Sequence, residues 1–390
     1  PTNDLVTAPE IMFFWVARMI IAGYEYRGEA PFKNVYYTGI VRDKLGRKMS
    51  KSLGNSPDPI QLMEKYGADG VRVGMLLTSP AGNDLPFDEK LCEQGRNFSN
   101  KIWNAFRLVN GWEVADIEQR ESARLGVVWM QSRISQALAE INVAYDKFRI
   151  SEALMLTYKL IWDDFCSWFL EMIKPPYGEP VDKTTREDAL AIFESLLTIL
   201  HPFMPFISEE IWHLLRNRST PNDALIVAPW PLSTDYNLDL LSKFEITQEV
   251  VNGIRNIRAT NNIPNKNAII LHIKAHTEID KTLDPAVMHL CNISAVSYVN
   301  DKLENAFSFI VQGNEYFVPF SENVDTEVEK EKLVKEIEYT RGFLSSVSKK
   351  LSNERFVSGA PDEVVASERK KAADAESKIK LLEEKLARLN

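Results

Sequence analysis

Residues 46–55 read Gly46-Arg47-Lys48-Met49-Ser50-Lys51-Ser52-Leu53-Gly54-Asn55. Two lysines stand three positions apart among hydroxyls and small residues, so the segment reads as a polar loop. Both flanks are apolar. Upstream, Val35-Tyr36-Tyr37-Thr38-Gly39-Ile40-Val41 is β-branched and aromatic, and predicts a strand. Downstream, Asp58-Pro59 predicts the start of a helix whose apolar positions are Ile60, Leu62, Met63 and Tyr66. Mobile ammonium groups at Lys48 and Lys51, with hydroxyls at Ser50 and Ser52 and little side-chain bulk to keep backbone amides away, suit a polyanion on which charge develops. The bland alternative is a solvated Lys/Ser loop.

On the amino-terminal side, Leu5-Val6-Thr7 predicts a short strand turned by Ala8-Pro9. Glu10–Ile21 then reads as a helix that is apolar almost all round, through Ile11, Phe14, Trp15 and Met19, and so as a buried one. A strand running into a buried helix is half of a βαβ unit. Ligands of doubly wound sheets sit at the carboxyl ends of strands, here Thr7–Glu10. Glu10 is therefore a candidate for a ligand hydroxyl, or simply an acid favoured by the dipole of the first helical turn.

On the other side, residues 79–88 are a turn-rich connector, and residues 97 to about 216 carry helical spacing throughout. Ile134, Leu138, Ile141 and Tyr145 mark one apolar face; Leu154, Tyr158, Ile161, Phe165 and Phe169 mark another. Ser208 is placed to cap the helix containing Ile211 and Trp212. Long helices with short links predict a bundle. Arg96, Lys101 and Arg107 on its first helix are candidates for RNA phosphates; the alternative is a solvated charged face. Residues 241–320 predict a small α/β unit, with Arg255 and Arg258 on its first helix and no catalytic constellation. In the tail, Leu333, Ile337, Thr340, Leu344, Val347 and Leu351 form a heptad seam, and a second runs from Val365 to Leu389. The break at Asn353–Pro361 predicts an antiparallel hairpin; it could dimerise, but two matched seams in one chain can bury each other, and a monomer is the expectation.

The 390 residues are too many for one core and predict two to four domains. A hydrophobic share of 45% and a charged share of 26% are those of a soluble globular chain. The apolar run at residues 11–22 is too short to span a membrane and contains Arg18. Three isolated cysteines, with no CxxC pair, suggest neither zinc nor disulfides and fit the cytoplasm. The net charge of −9 leaves nucleic acid open, because binding needs a local basic stripe rather than a basic total.

Lys48-Met49-Ser50-Lys51-Ser52 matches the KMSKS signature of the class I aminoacyl-tRNA synthetases, and the run from Gly46 to Asn55 resembles their valyl, isoleucyl and leucyl group. The stretch from Ser79 through Ala105 resembles the valyl members, and Leu200-His201-Pro202-Phe203-Met204-Pro205-Phe206 resembles the anticodon-binding bundle of the same synthetase group. At the first strand this family has Gly-x-Asp-Ile approaching the ATP ribose, where this chain has Ala8-Pro9-Glu10-Ile11. The family's H-x-G-H motif is absent, and no editing insertion is visible. The expectation is therefore a C-terminal fragment.

The resemblance implies a mainly α, multidomain fold. Residues 1–57 would be the end of a Rossmann-like catalytic domain, 58–95 a stem-contact-like connector and 96–240 an anticodon-binding bundle. Residues 241–322 would be a small α/β linker domain and 325–390 a coiled-coil arm that reaches tRNA. It implies ATP with Mg as the substrate complex, no bound zinc, valine, and a valine-specific tRNA. Lys48 and Lys51 would be catalytic, and Glu10, Met49, Ser50, Lys51 and Ser52 would bind ATP. Arg96, Lys101 and Arg107 would bind tRNA. The alternatives are an isoleucyl enzyme, a non-enzymatic RNA-binding module, and a structural coiled-coil protein. The fragment alone is expected to be inactive in aminoacylation.

Overall fold

The computed structural model describes residues 1–50, 52–77, 84–276, 280–303, 305–319 and 326–352, together with residues 368, 369, 371, 372, 375, 376, 379 and 383. The chain is mainly helical. Strand β1 (Thr2–Thr7) pairs in parallel with β2 (Phe32–Tyr37), Leu5 opposite Val35 and Thr7 opposite Tyr37. Parallel pairing requires a crossover. It is made by a 3-10 turn (Pro9–Ile11), a wide π turn (Met12–Val16) and helix α1 (Ala17–Arg27), closed by Gly28 in the left-handed region.

The crossover is not the buried helix its composition suggests. Val16 is buried, but Phe13 is 76% exposed, and Phe14, Trp15, Ile21, Tyr24 and Tyr26 also face solvent. Two strands offer one face to pack on, and nothing among the described residues covers the other. The expected strand at 35–41 is also divided. The segment β3 (Val41–Arg42) leaves β2 and pairs in parallel with β4 (Leu85–Pro86).

Helices α2 (Pro59–Tyr66), α3 (Ala68–Leu76) and α4 (Glu89–Asn110) join the lysine loop to the rest. Asp58 caps α2 by accepting from the Ile60 amide, 2.8 Å away. Helices α3 and α4 cross almost backbone to backbone. A Cβ on Gly95 would lie 2.4 Å from the Gly70 carbonyl oxygen, and one on Gly74 would lie 2.6 Å from the Cys92 amide nitrogen. Helix α4 runs unbroken through residue 95, where the sequence reading put a domain border.

After β5 (Val114–Ala115) come α5 (Glu121–Asp146) and α6 (Ile150–Lys159), the latter continued by a π stretch (Leu160–Phe169) into α7 (Leu170–Ile173). Then follow β6 (Val181–Asp182), α8 (Lys183–Leu200) and α9 (Pro205–Leu215). Their apolar faces share one core that includes Phe98, Ile102, Met130, Leu138, Phe165 and Phe193. Ser208 does not cap α9. It is fully buried inside the helix, with its hydroxyl 2.8 Å from His201 Nδ1 and donating to the Met204 carbonyl at 2.7 Å. The cap comes from α3 instead: the Asp69 carboxylate accepts from the amides of Phe206 (3.3 Å) and Ile207 (2.7 Å).

Helix α10 (Leu238–Thr260) leads into β7 (Ile269–Lys274), α11 (Asp284–Cys291), β8 (Ile293–Val299), β9 (Ala306–Val311) and β10 (Asn314–Pro319). The sheet order is β8-β7-β10-β9, with β7 and β8 parallel and the other pairs antiparallel. A second core lies between this sheet and helices α10 and α11. Helix α12 (Thr326–Leu351) buries Ile337, Thr340 and Val347. Of the second seam, Ala372, Ala375 and Ile379 are described; the break at 353–361 and residues 79–83 of the connector lie outside the described residues. Among the described residues, no helix is long and apolar enough to cross a membrane.

The small unit meets the bundle at Arg120 and His289. Arg120, at the start of α5, donates to the carbonyls of Ile173 (2.6 Å) and Lys174 (2.8 Å), and its guanidinium lies 3.3 Å from His289 Nδ1. Burial and then the Arg120 charge push the His289 imidazole below its ordinary value. Lys174 faces the ring as a further cation, and the carbonyls of Glu171 and Lys174 draw it weakly upward. Asp182 and Glu179 act on Arg120 from behind.

Two outcomes follow from this packing. Gly95→Ala should destabilise the chain by about 2 kcal/mol or more, since backbone on both sides must move; a lower urea midpoint measures it. His289 is held neutral in the folded chain, so its contribution is intact above the unfolded value of about 6.5 and is lost as pH falls through the lower folded value. The drop in urea midpoint between about pH 7.5 and about pH 5.5 should shrink in His289→Gln.

Candidate active-site loop and nucleic-acid interface

After β3 the chain makes a tight reversal around Asp43. Its carboxylate accepts from the amides of Leu45 and Arg47, both at 2.9 Å, and from the Arg47 side chain. Gly46, in the left-handed region, closes the turn, and Lys48 bridges back to Arg42. Asn55 ties the far end down. Its Nδ2 donates to Asp43 (2.9 Å) and to the Lys48 carbonyl (3.3 Å), and its Oδ1 accepts from the Ser50 amide (2.9 Å). These donors, Asn55 foremost, hold the Asp43 carboxyl well below the usual carboxylate range. Arg42 fixes the other side through an ion pair with Asp84.

This frame presents the candidate residues. Lys48 Nζ lies 2.8 Å and 3.0 Å from the two carboxylate oxygens of Glu10, so the structure brings together two residues nominated separately. Both are exposed, and an exposed pair contributes at most about 1 kcal/mol. The Met49 amide donates to the Val41 carbonyl at 3.3 Å, and the hydroxyls of Ser50 and Ser52 are 3.1 Å apart. Lys51 lies outside the described residues. Asp43 and Asn55, which organise the loop, were not singled out from the sequence; the Asx-rich spacing around a glycine was the available signal.

The three cations on α4 do not act together. At about 100° per residue, Arg107 returns to within about 20° of Arg96, while Lys101 points about 140° away. Arg96 lies 3.3 Å from Glu93 and over the Tyr66 ring at 5.6 Å, and Arg107 is exposed. Lys101 lies over the Trp162 ring at 5.3 Å and faces a cleft of about 1060 Å³ between the bundle and the small unit.

That cleft concentrates positive charge in an acidic chain. Lys101, Lys174, Arg255 and Arg258 line it, with the neutral His289 ring beside them, against one acid, Glu171, which pairs with Lys174 at 2.6 Å. Arg255 lies over the Trp168 ring at 5.2 Å. Arg258 is buried and donates to the carbonyls of Pro264, Asn267, Cys291 and Asn292, so it braces the cleft floor. Burial lowers its affinity for the proton it carries. Lys174 and Tyr177 went unmarked in the sequence because the loop that brings them to Lys101 is remote from it. Among the described residues no group of acids, histidines and cysteines could hold a metal ion.

Known families match three parts of the chain. Residues 1–88 match the class I tRNA synthetases (I, L, M and V), 128–274 the anticodon-binding domain of tRNA ligase, and 325–390 the valyl tRNA synthetase tRNA binding arm. Among curated proteins, the valine--tRNA ligases of Christiangramia forsetii, Phocaeicola vulgatus and Parabacteroides distasonis are 58%, 56% and 55% identical. Each alignment takes in 100% of this chain and 44% of the relative, so the chain spans less than half the length of the curated relatives it matches. Segments similar to a class I tRNA synthetase, an anticodon-binding domain and a valyl tRNA synthetase tRNA binding arm thus follow one another in a chain that aligns along its whole length with part of the valine--tRNA ligases.

Proposed function

We propose that the chain supplies the lysine loop and the tRNA-binding regions of a valine--tRNA ligase. In that reaction the valine carboxylate attacks the α-phosphate of ATP, pyrophosphate leaves, and a hydroxyl of the terminal tRNA ribose then takes the valyl group from the adenylate as AMP leaves. ATP enters as its Mg complex. In-line chemistry at phosphorus depends on positioning and on stabilising charge as it builds. Lys48 and Lys51 take the charge developing on pyrophosphate. Met49, Ser50 and Ser52 shape the loop around the phosphates, and Glu10, once Lys48 leaves it, accepts from the ATP ribose. The observation that carries this reading is the Lys48–Glu10 pair at 2.8 Å, which sets the loop against the carboxyl end of β1, where nucleotides bind in such sheets.

The tRNA side rests on the basic cleft. Lys101 and Arg255 face RNA phosphates there, while Arg96 and Arg107 serve a separate face of α4. The layout we infer is 1–57 catalytic, 58–95 connector, 96–240 bundle, 241–322 small domain and 325–390 arm, with α4 shared across the second border. Ion pairs from Arg341 to Glu383 (2.5 Å) and Lys350 to Glu368 (3.9 Å) run in opposite chain directions, which supports an antiparallel hairpin in a monomer. The exposed face of Phe13, Phe14 and Trp15 suits further catalytic structure of the kind the relatives' greater length provides. A cytoplasmic location fits this function.

Two measurements test the reading. In filter binding against a valine tRNA transcript, Lys101→Ala and Arg255→Ala should each weaken binding and lower the salt slope by about one; unchanged slopes would remove the cleft from the interface. In a chain extended to the relatives' full length, Lys48→Ala or Lys51→Ala should slow valine-dependent pyrophosphate exchange by about two orders of magnitude, with a smaller loss in ATP affinity. Residues 1–390 alone should give no exchange above the no-protein control.

A further inference from the structure

We propose that Tyr177 is a stacking platform for an unpaired RNA base at the mouth of the basic cleft; this rests on the reading of that cleft as a tRNA interface. Tyr177 follows Pro175-Pro176, and its relative exposure of 108% leaves both faces of the ring in water. The loop that carries it is braced. Two consecutive prolines restrict φ, the Glu179 amide donates to the Pro176 carbonyl at 3.0 Å, and Gly178 closes the turn at a φ of 81°. Just before it, Arg120 holds the carbonyls of Ile173 and Lys174. The ring is thus held out by a stiff support, and little backbone entropy remains to be lost on contact.

Its surroundings specify the partner. Tyr177 lines the same cleft as Lys101, Lys174 and Arg255, cations positioned to follow a phosphate backbone. Nearby Trp162 and Trp168 each carry a cation over one face and pack against the core, so neither offers a clear surface. Proteins that recognise unpaired RNA pair cationic grooves with exposed aromatic rings, because each base has a π-face to stack. A double-stranded stem presents no such face along its length. The ligand class is therefore a nucleotide in a single-stranded loop, with its base on Tyr177 and its flanking phosphates toward Lys101 and Arg255.

The test titrates the full chain with a valine tRNA transcript carrying 2-aminopurine at single anticodon-loop positions, at about 50 and about 200 mM salt. Tyr177→Ala should weaken binding about tenfold and relieve fluorescence quenching at one position, with the salt slope unchanged, because stacking carries no charge. Tyr177→Phe should bind like the parent. A ring this exposed can be removed without touching the core, and an unchanged melting temperature checks it. If Tyr177→Ala alters neither affinity nor fluorescence while Lys101→Ala weakens binding, the cleft stands and the stacking proposal fails. If neither variant changes binding, the cleft reading falls and the proposal with it. Loss on Tyr177→Phe equal to that of Tyr177→Ala would also overturn stacking, since the hydroxyl would then be the contact.

Discussion

The close crossing of α3 and α4 is the constraint on which the arrangement depends. Gly74 and Gly95 let the two backbones approach to distances no Cβ would permit, and Gly70 sits in the same close contact. Helix α3 follows the lysine loop by way of α2, and α4 is the first helix of the bundle. The crossing therefore fixes the loop's support relative to the surface carrying Lys101. Asp69 extends the same junction by capping α9 from α3, and Arg72 adds bonds to the carbonyls of Pro202 (3.0 Å) and Phe203 (3.1 Å). A helix pair held by backbone contact has few alternative packings, so two surfaces remote in sequence keep a defined geometry.

Charge is handled by placement rather than by total. The chain is acidic, yet its cleft is lined by four cationic side chains and one acid. Two of the guanidiniums nearby, Arg120 and Arg258, donate to backbone carbonyls rather than to carboxylates. Carbonyl dipoles meet the hydrogen-bonding needs of a buried guanidinium without cancelling its net charge, so the cleft keeps its positive field. The lysine loop works differently. Lys48 is held by an exposed carboxylate, a weak partner that keeps the ammonium in place.

Local pattern made much of this legible. The polar loop after the strand, the helix start at Asp58-Pro59, the hairpin of β9 and β10 and the helical period of α12 rest on propensity, capping and period, which act over a few residues. The same logic misplaced the cap at Ser208, because a serine before an apolar run has the right chemistry for a role that Asp69, 139 positions earlier by residue number, performs through space. It also misjudged residues 10–21. Apolar periodicity states what a helix would bury, not whether a partner surface is present, and here Phe13 and Trp15 remain exposed.

The sequence by itself determined the chemistry on offer: two lysines and two serines on a loop after a strand, a helical bundle, and a tail with two apolar seams. These follow from side-chain type and spacing. Tertiary structure alone decided which of those groups meet. It set Lys48 on Glu10, separated Lys101 from Arg96, and joined Lys101 to Lys174, Tyr177 and Arg255 in one cleft. Such meetings depend on helix crossings and on glycine contacts between segments far apart in the chain, and long-range packing leaves no periodic trace in the residues it brings together.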